Sequence, residues 1–278
     1  MKKAVLPLLL ILLLLAGCNQ DKREAQLMLD QANALYQAEN LEEAIQLIDS
    51  IGVRYPKVYE VRHAANRLGY DVTRNQLQRD VVFIDSVLAV KQQELDELLP
   101  HFTYERDKEY QQTGRYLWPT QTLEKNISRS YLRFQTEEDG RMSLTSIFVA
   151  NNPIHHTAVK VTAKDGTFVQ TPASPDSYET TNLGLTTEKA DYPQDKDGGL
   201  AEFIALHVDD NLTMDFIGDR TQRVTLTPAD RQACKQVLEL ANRLSLIKQL
   251  KENQEENHRK IEFVERKMQE YDKQHSNN

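Results

Sequence analysis

The chain has 278 residues, with 34 Lys and Arg against 42 Asp and Glu, a formal charge of −8 that falls to about −10 when Lys2 and Lys3 are set aside. A surface of that sign repels phosphate backbones, so no nucleic-acid partner is expected. There are two cysteines, Cys18 and Cys234, too few for a disulfide framework.

Lys2 and Lys3 form a basic head, and Val5 to Ala16 is almost uninterruptedly apolar. That core is too short to cross a bilayer, which takes roughly 20 apolar residues, and fits a secretory signal peptide over 1–17. Leu15-Ala16-Gly17-Cys18 resembles the lipobox of bacterial lipoproteins. The resemblance implies cleavage before Cys18, acylation of its thiol and a lipid-anchored envelope protein whose partner is the membrane. Asn19 is not the aspartate that keeps some such proteins at the inner membrane, which favours the outer one, with its periplasmic or surface face left open. Acylation would leave Cys234 as the one remaining thiol, expected as a small hydrophobe within a helix.

After a polar tether over 18–24, residues 25–56 read as a helical hairpin. Ala32, Leu41, Ala44, Ile48 and Pro56 fall where a tetratricopeptide repeat places its small residues, second-helix apolar residues and closing proline. The segment resembles one such repeat. No second copy follows, and three or more make a solenoid, so a structural hairpin is expected rather than a peptide groove.

Residues 57–99 form a long predicted helix. Leu77, Val81, Ile84, Leu88, Lys91, Leu95 and Leu98 alternate steps of four and three, a coiled-coil seam broken by Lys91, and Pro100 ends it. A second long helix is predicted over 228–272, with Thr227 as N-cap and Pro228 just inside. Ala233, Val237, Leu240, Leu244 and Ile247 carry its seam; Lys251, Gln254 and His258 interrupt it, and Ile261, Val264, Met268 and Tyr271 resume it. At 1.5 Å per residue the two measure roughly 60 and 65 Å, which predicts an antiparallel pair with Leu88 near Leu244. Residues 273–278 are expected to be a disordered tail.

The inserted stretch, 100–227, changes character. Paired β-like runs flank Asp139-Gly140, Asp165-Gly166 and Gly218-Asp219, the turn chemistry of tight hairpins. Residues 171–199 read as a polar loop. Leu200, Phe203, Ile204, His207 and Val208 fit a helix face better than a strand. The predicted fold class is α+β: an N-terminal helical hairpin, a long antiparallel coiled-coil-like helix pair, and a mainly antiparallel β domain inserted between the two long helices.

Chemical motifs are sparse, and no catalytic residue, metal or cofactor is assigned. His155 and His156 are candidate binding residues in a loop, but adjacent positions point to opposite faces of an extended chain, so a hydrogen-bonded turn is favoured over joint metal ligation. Asp191, Asp195, Asp197 and Gly198 hint at calcium, but an EF-hand register puts Pro193 and Ile204 at its first and twelfth positions. Ser245-x-x-Lys248 lacks the motifs that accompany it in serine enzymes. Trp118, in "GRYLWPT", could stack on a sugar or a partner, although core packing is the simpler expectation. The sequence therefore points to a non-catalytic envelope lipoprotein that acts as a scaffold or interaction module on an envelope protein. A glycan-binding or glycan-processing lipoprotein, and a periplasmic adaptor of an export system, are the alternatives.

Overall fold

Among the described residues, all the β structure lies in the sequence between two long helices. They are α3 (Tyr59–Leu98) and α5 (Pro228–His275), with antiparallel sheets of six and four strands between them, so the predicted α+β class holds. The computed structural model describes residues 5–107, 109 and 112–275, with side chains from Gln20 to Gln274. Lys2 and Lys3 and the side chains of the lipobox, Cys18 included, lie outside that set. Among the described residues no helix is long and apolar enough to cross a membrane. The described residues divide into two units, one running up to Val87 and resuming at Glu252, the other Leu88–Lys251.

In the first unit, α1 (Val5–Gln37) and α2 (Leu41–Arg54) form the expected hairpin. Its core is Ala25, Ala32, Leu41, Ala44, Ile48 and Ile51, joined by Val61, Ala65 and Val72 of α3. Residues 18–24, expected as a tether, belong instead to α1. Gln20 bonds Glu24 at 3.0 Å one turn on, and Ala25 next to it is buried in the hairpin core. In the same unit Arg67 pairs with Asp272 at 2.8 Å and Gln254 donates to Asp85. A low number on α3 thus meets a high one on α5, so the helices run antiparallel. Gln254, a polar break in the seam, is satisfied by that bond, and Val264 and Met268 are buried beyond it.

In the second unit, α3 ends at Leu98 and Pro100 sits in the 3-10 turn that follows. Leu95 packs with Leu240, Leu244 and Ile247, flanked by Leu88, Leu98, Phe102 and Tyr116. Lys91, the break in the α3 seam, bonds Glu94 at 3.0 Å, and Glu94 also receives Arg243.

The six-stranded sheet runs β1 (Thr103–Glu105), β2 (Arg115–Leu117), β3 (Tyr131–Glu137), β4 (Met142–Ala150), β8 (Leu185–Tyr192), β7 (Asp176–Asn182). The four-stranded sheet runs β10 (Thr221–Leu226), β9 (Leu212–Ile217), β5 (Ala158–Thr162), β6 (Phe168–Gln170). Phe134, Leu144 and Phe148 of the first meet Val159, Val161, Met214 and Phe216 of the second. The helix α4 (Leu200–Leu206) and the first turns of α5 close this core, with Cys234 fully buried and its thiol donating to Ala201 O at 3.3 Å. Burial drives that thiol's pKa well up, which keeps it an inert hydrophobe.

All three predicted hairpins form. The supposed polar loop does not: its middle is a fourth hairpin, β7–β8, turning at Leu183 and Gly184 with φ of 50° and 80°. Both values are positive, the conformation of a two-residue hairpin turn. The Asp197 carboxylate accepts from the N–H groups of Gly199 and Ala201 at 3.2 and 2.8 Å, capping α4.

The start of α5 is fastened to the six-stranded sheet through Asp230. Thr227 caps the helix, accepting from Asp230 N at 3.2 Å. The Asp230 carboxylate, 3% exposed, takes a bidentate Arg129 at 2.7 and 2.7 Å and the Gln121 amide at 3.1 Å. The carbonyl oxygen of Gln121 then accepts from Phe134 N at 2.9 Å, continuing the β3 ladder where β2 has ended.

The Asp139-Gly140 turn is pressed on α5. Ser245 Oγ donates to Gly140 O at 3.2 Å and Lys248 reaches Asp139 at 3.4 Å, which is the use the fold makes of Ser245-x-x-Lys248. A Cβ on Gly140, where φ is +85°, would come within 3.0 Å of Ser245 Oγ, Ser245 N and Ala241 O, two of them backbone atoms. Gly166 has φ of +90° but open space around it. Gly140→Ala should therefore cost roughly 3 kcal/mol or more in urea unfolding, and Gly166→Ala only the left-handed backbone cost of about 1–2 kcal/mol.

Candidate functional site

The two histidines lie in the segment that crosses from β4 to β5, and they part company. At His155 the backbone turns left-handed (φ 52°). Its ring stays exposed, with Nδ1 3.1 Å from Glu179 of β7. His156 turns inward and is 2% exposed, with the rings of Phe216 and Phe148 at 5.2 and 6.2 Å. The expected opposition of neighbours holds, and the two do not share a ligand. Among the described residues no group of three or more His, Cys, Asp and Glu could hold a metal ion.

His156 is the centre of a buried polar line. Nε2 stands 2.7 Å from Ser146 Oγ, and Nδ1 stands 3.0 Å from Glu188 Oε2. Both partners come from core-facing positions of adjacent strands, β4 and β8, where Ser146 pairs with Ala190 and Phe148 with Glu188. The same carboxylate accepts from the N–H groups of Ile154 at 2.5 Å and His156 at 2.8 Å. Burial favours protonation of Glu188, but the His156 N–H and imidazole bonds, with the N–H groups of Ile154 and His155, outweigh it and its pKa is lowered. For His156 burial is the larger effect and lowers the pKa against the pull of Glu188. The stable state is a neutral imidazole beside a carboxylate. A carboxylate only accepts, so Nδ1 carries the proton and Nε2 accepts from the Ser146 hydroxyl.

That is the order of groups found in serine nucleophile triads. Here the geometry is present without access: Ser146 is fully buried and Glu188 is 2% exposed. No substrate carbonyl reaches Oγ. The three side chains instead pin the 151–157 segment to the sheet and satisfy two of its N–H groups inside the core.

The accessible surface lies on the other face of the same sheet. A groove of about 380 Å³ crosses β2, β3, β4, β8 and β7, and Arg115, Arg133, Gln135, Thr145, Lys189 and Tyr178 are among its lining. Arg133 reaches Glu105 at 3.0 Å and Thr145 donates to Asp191. The Lys189 ammonium sits 5.6 Å from the centre of the Tyr178 ring. The outer boundary of the groove is β7, the terminal strand of the sheet, paired with β8 on one side and exposed at all seven residues. On its opposite face Ser177 and Glu179 line a smaller recess of about 190 Å³ with His155 and His156.

Trp118 stands apart from these surfaces. It is half-buried against the sandwich core, edge-on to Phe102 at 5.2 Å and 76°, so its ring is committed to packing. Sequence reasoning passed over Ser146, Glu188 and the whole groove. The available signal was the parity of Thr186, Glu188, Ala190 and Tyr192, an acidic residue on the core-facing side of a strand. By fold and site the chain is an α+β protein with a two-sheet body inserted between paired helices. No family model, curated protein or solved structure matches it.

The buried trio makes the fold acid-sensitive. Below pH 6.5 the unfolded chain protonates His156 while the folded chain does not, so the unfolded state binds more protons and stability falls with pH. Below 4.5 Glu188 adds a second loss of the same sign. Urea titrations between pH 7 and 5 should show declining stability, with the slope reduced in His156→Asn. A serine-reactive fluorophosphonate should leave the folded chain unlabelled, and labelling at Ser146 would contradict the sealed geometry.

Proposed function

We propose that this chain is a non-catalytic lipoprotein of the cell envelope, tethered through Cys18, whose two-sheet body binds an extended segment of an envelope protein along β7. The observation that carries the reading is the free edge of β7 beside an open groove. An edge strand presents unpaired N–H and C=O groups, and an incoming strand takes its affinity from them and its specificity from neighbouring side chains. β7 contains neither Lys nor Pro, two of the usual guards against such pairing. Lys189 and Arg115 in the adjoining groove, which Asp176 and Asp191 also line, supply donors that a carbonyl-rich segment would meet.

The apparent nucleophile set speaks for binding over hydrolysis, because all three of its members are buried and bonded to one another. The packing of Trp118 weakens the glycan alternative, which relied on it as a stacking platform.

A photo-crosslinking residue at Glu179 or Tyr178 should give a discrete protein adduct in native envelopes. The same residue at Phe168, which is 55% exposed on the edge strand of the other sheet, should give none. Equal adducts from both edges, or none from β7, would defeat the assignment.

A further inference from the structure

We infer that the turn between α2 and α3 is a second membrane contact, seated on the headgroups of the bilayer that holds the Cys18 lipid. The inference rests on the lipoprotein reading and adds a surface to it. Lys22 follows Cys18 by four residues, so even a fully extended link keeps it within about 14 Å of the acylated atom's backbone. Two bonds fasten the α2–α3 turn to that stretch: Lys22 to Glu60 at 2.5 Å and the Tyr55 hydroxyl to Glu24 at 3.0 Å. Whatever surface holds Cys18 therefore lies next to this turn.

The turn has the composition of an interfacial contact. Val53 is 81% and Tyr59 66% exposed, large apolar groups left in water in a unit whose core has other material to bury. Tyr59 joins Asp21, Lys22, Lys57, Val58 and Glu60 around an open recess of about 360 Å³. Tyrosine, with an apolar body and a polar tip, favours the headgroup level, and lysine reaches out of it toward phosphate.

Charge points to the same partner. Residues 52–62 hold Arg54, Lys57 and Arg62 against Glu60 alone, within a chain whose net charge is −8. Glu60 is engaged by Lys22 and Glu24 by Tyr55, while Arg54 and Lys57 enter none of the ion pairs among the described residues. A local excess of two positive charges on a strongly acidic protein fits anionic phospholipid.

The test uses the chain from Cys18 onward in a Trp118→Phe background, coupled through Cys18 to a maleimide lipid in phosphatidylcholine–phosphatidylglycerol vesicles. Cys234 is fully buried and stays out of the coupling. A tryptophan in place of Tyr59 should shift to the blue and lose about half its emission to brominated acyl chains. One in place of Phe83, which is 68% exposed and about 36 Å further along α3, should stay unquenched. Val53→Asp with Lys57→Glu should reduce the Tyr59→Trp quenching several-fold. Equal quenching at the two positions, or none at Tyr59→Trp, would overturn the inference. A native mass spectrum lacking acyl groups on Cys18 would overturn the lipoprotein reading instead, because the coupled vesicles report on the docking surface independently of natural acylation.

Discussion

The buried carboxylate of Asp230 is the constraint on which the inserted body depends. An insertion between two packed helices must leave one and re-enter the other within a helix–helix distance, and the re-entry point must be fixed. Leaving α3 is handled by Pro100 and by Leu98, Leu99 and Phe102 packing toward Leu240 and Leu244. Re-entry is handled by Asp230, which sits in the first turn of α5, where the helix dipole favours negative charge. It binds Arg129 bidentately and Gln121, which in turn occupies the Phe134 N–H that β3 would otherwise leave open. One carboxylate thus joins the helix start, the 119–130 connection and the central sheet. A hydrophobic contact could bury comparable area, but it could not specify this register so narrowly.

The Ser146–His156–Glu188 line applies the same logic within the sandwich. The 151–157 segment crosses between sheets, and only at its end does Thr157 N–H reach a strand partner, Ile217 O of β9 at 3.0 Å. Glu188 accepts two of the segment's other N–H groups and the imidazole, and the imidazole in turn takes the Ser146 hydroxyl. An ionised carboxylate in that position is tolerable because three N–H donors surround it. The resulting geometry is that of a nucleophile relay, and burial decides between the two uses. Distances alone would have assigned chemistry to a group that no substrate can approach.

What was legible in the residues follows from which patterns stay unbroken. The hairpins at Asp139-Gly140 and Asp165-Gly166 were readable because a residue type fixes a positive φ at the turn. The long helices were readable from their four-three spacing, and two of the polar interruptions are bonded to neighbours: Lys91 with Glu94, Gln254 with Asp85. β7 and β8 escaped for opposite reasons. Every residue of β7 is exposed, so it has no apolar face to reveal itself. β8 alternates perfectly in burial, but its inward residues are Thr186, Glu188, Ala190 and Tyr192, which carry almost no hydrophobic period. Their turn uses Leu183, an unexpected residue at positive φ and fully exposed. The groove was illegible in consequence, since it lies across the strand pair that was missed.

The polar character of β7 and the proposed anchor explain each other. A strand such as Asp-Ser-Tyr-Glu-Thr-Thr-Asn offers an added strand backbone hydrogen bonds but little apolar area, so free in solution it would bind weakly and would resist self-association. Fixing both the protein and its partner to one membrane changes that balance. Encounter becomes nearly intramolecular, and effective concentrations in the millimolar range make weak strand pairing sufficient. A tether of the proposed kind would thus remove the need for a sticky edge. An apolar β7 would gain affinity at the cost of aggregation, whereas a polar one would gain its affinity from location.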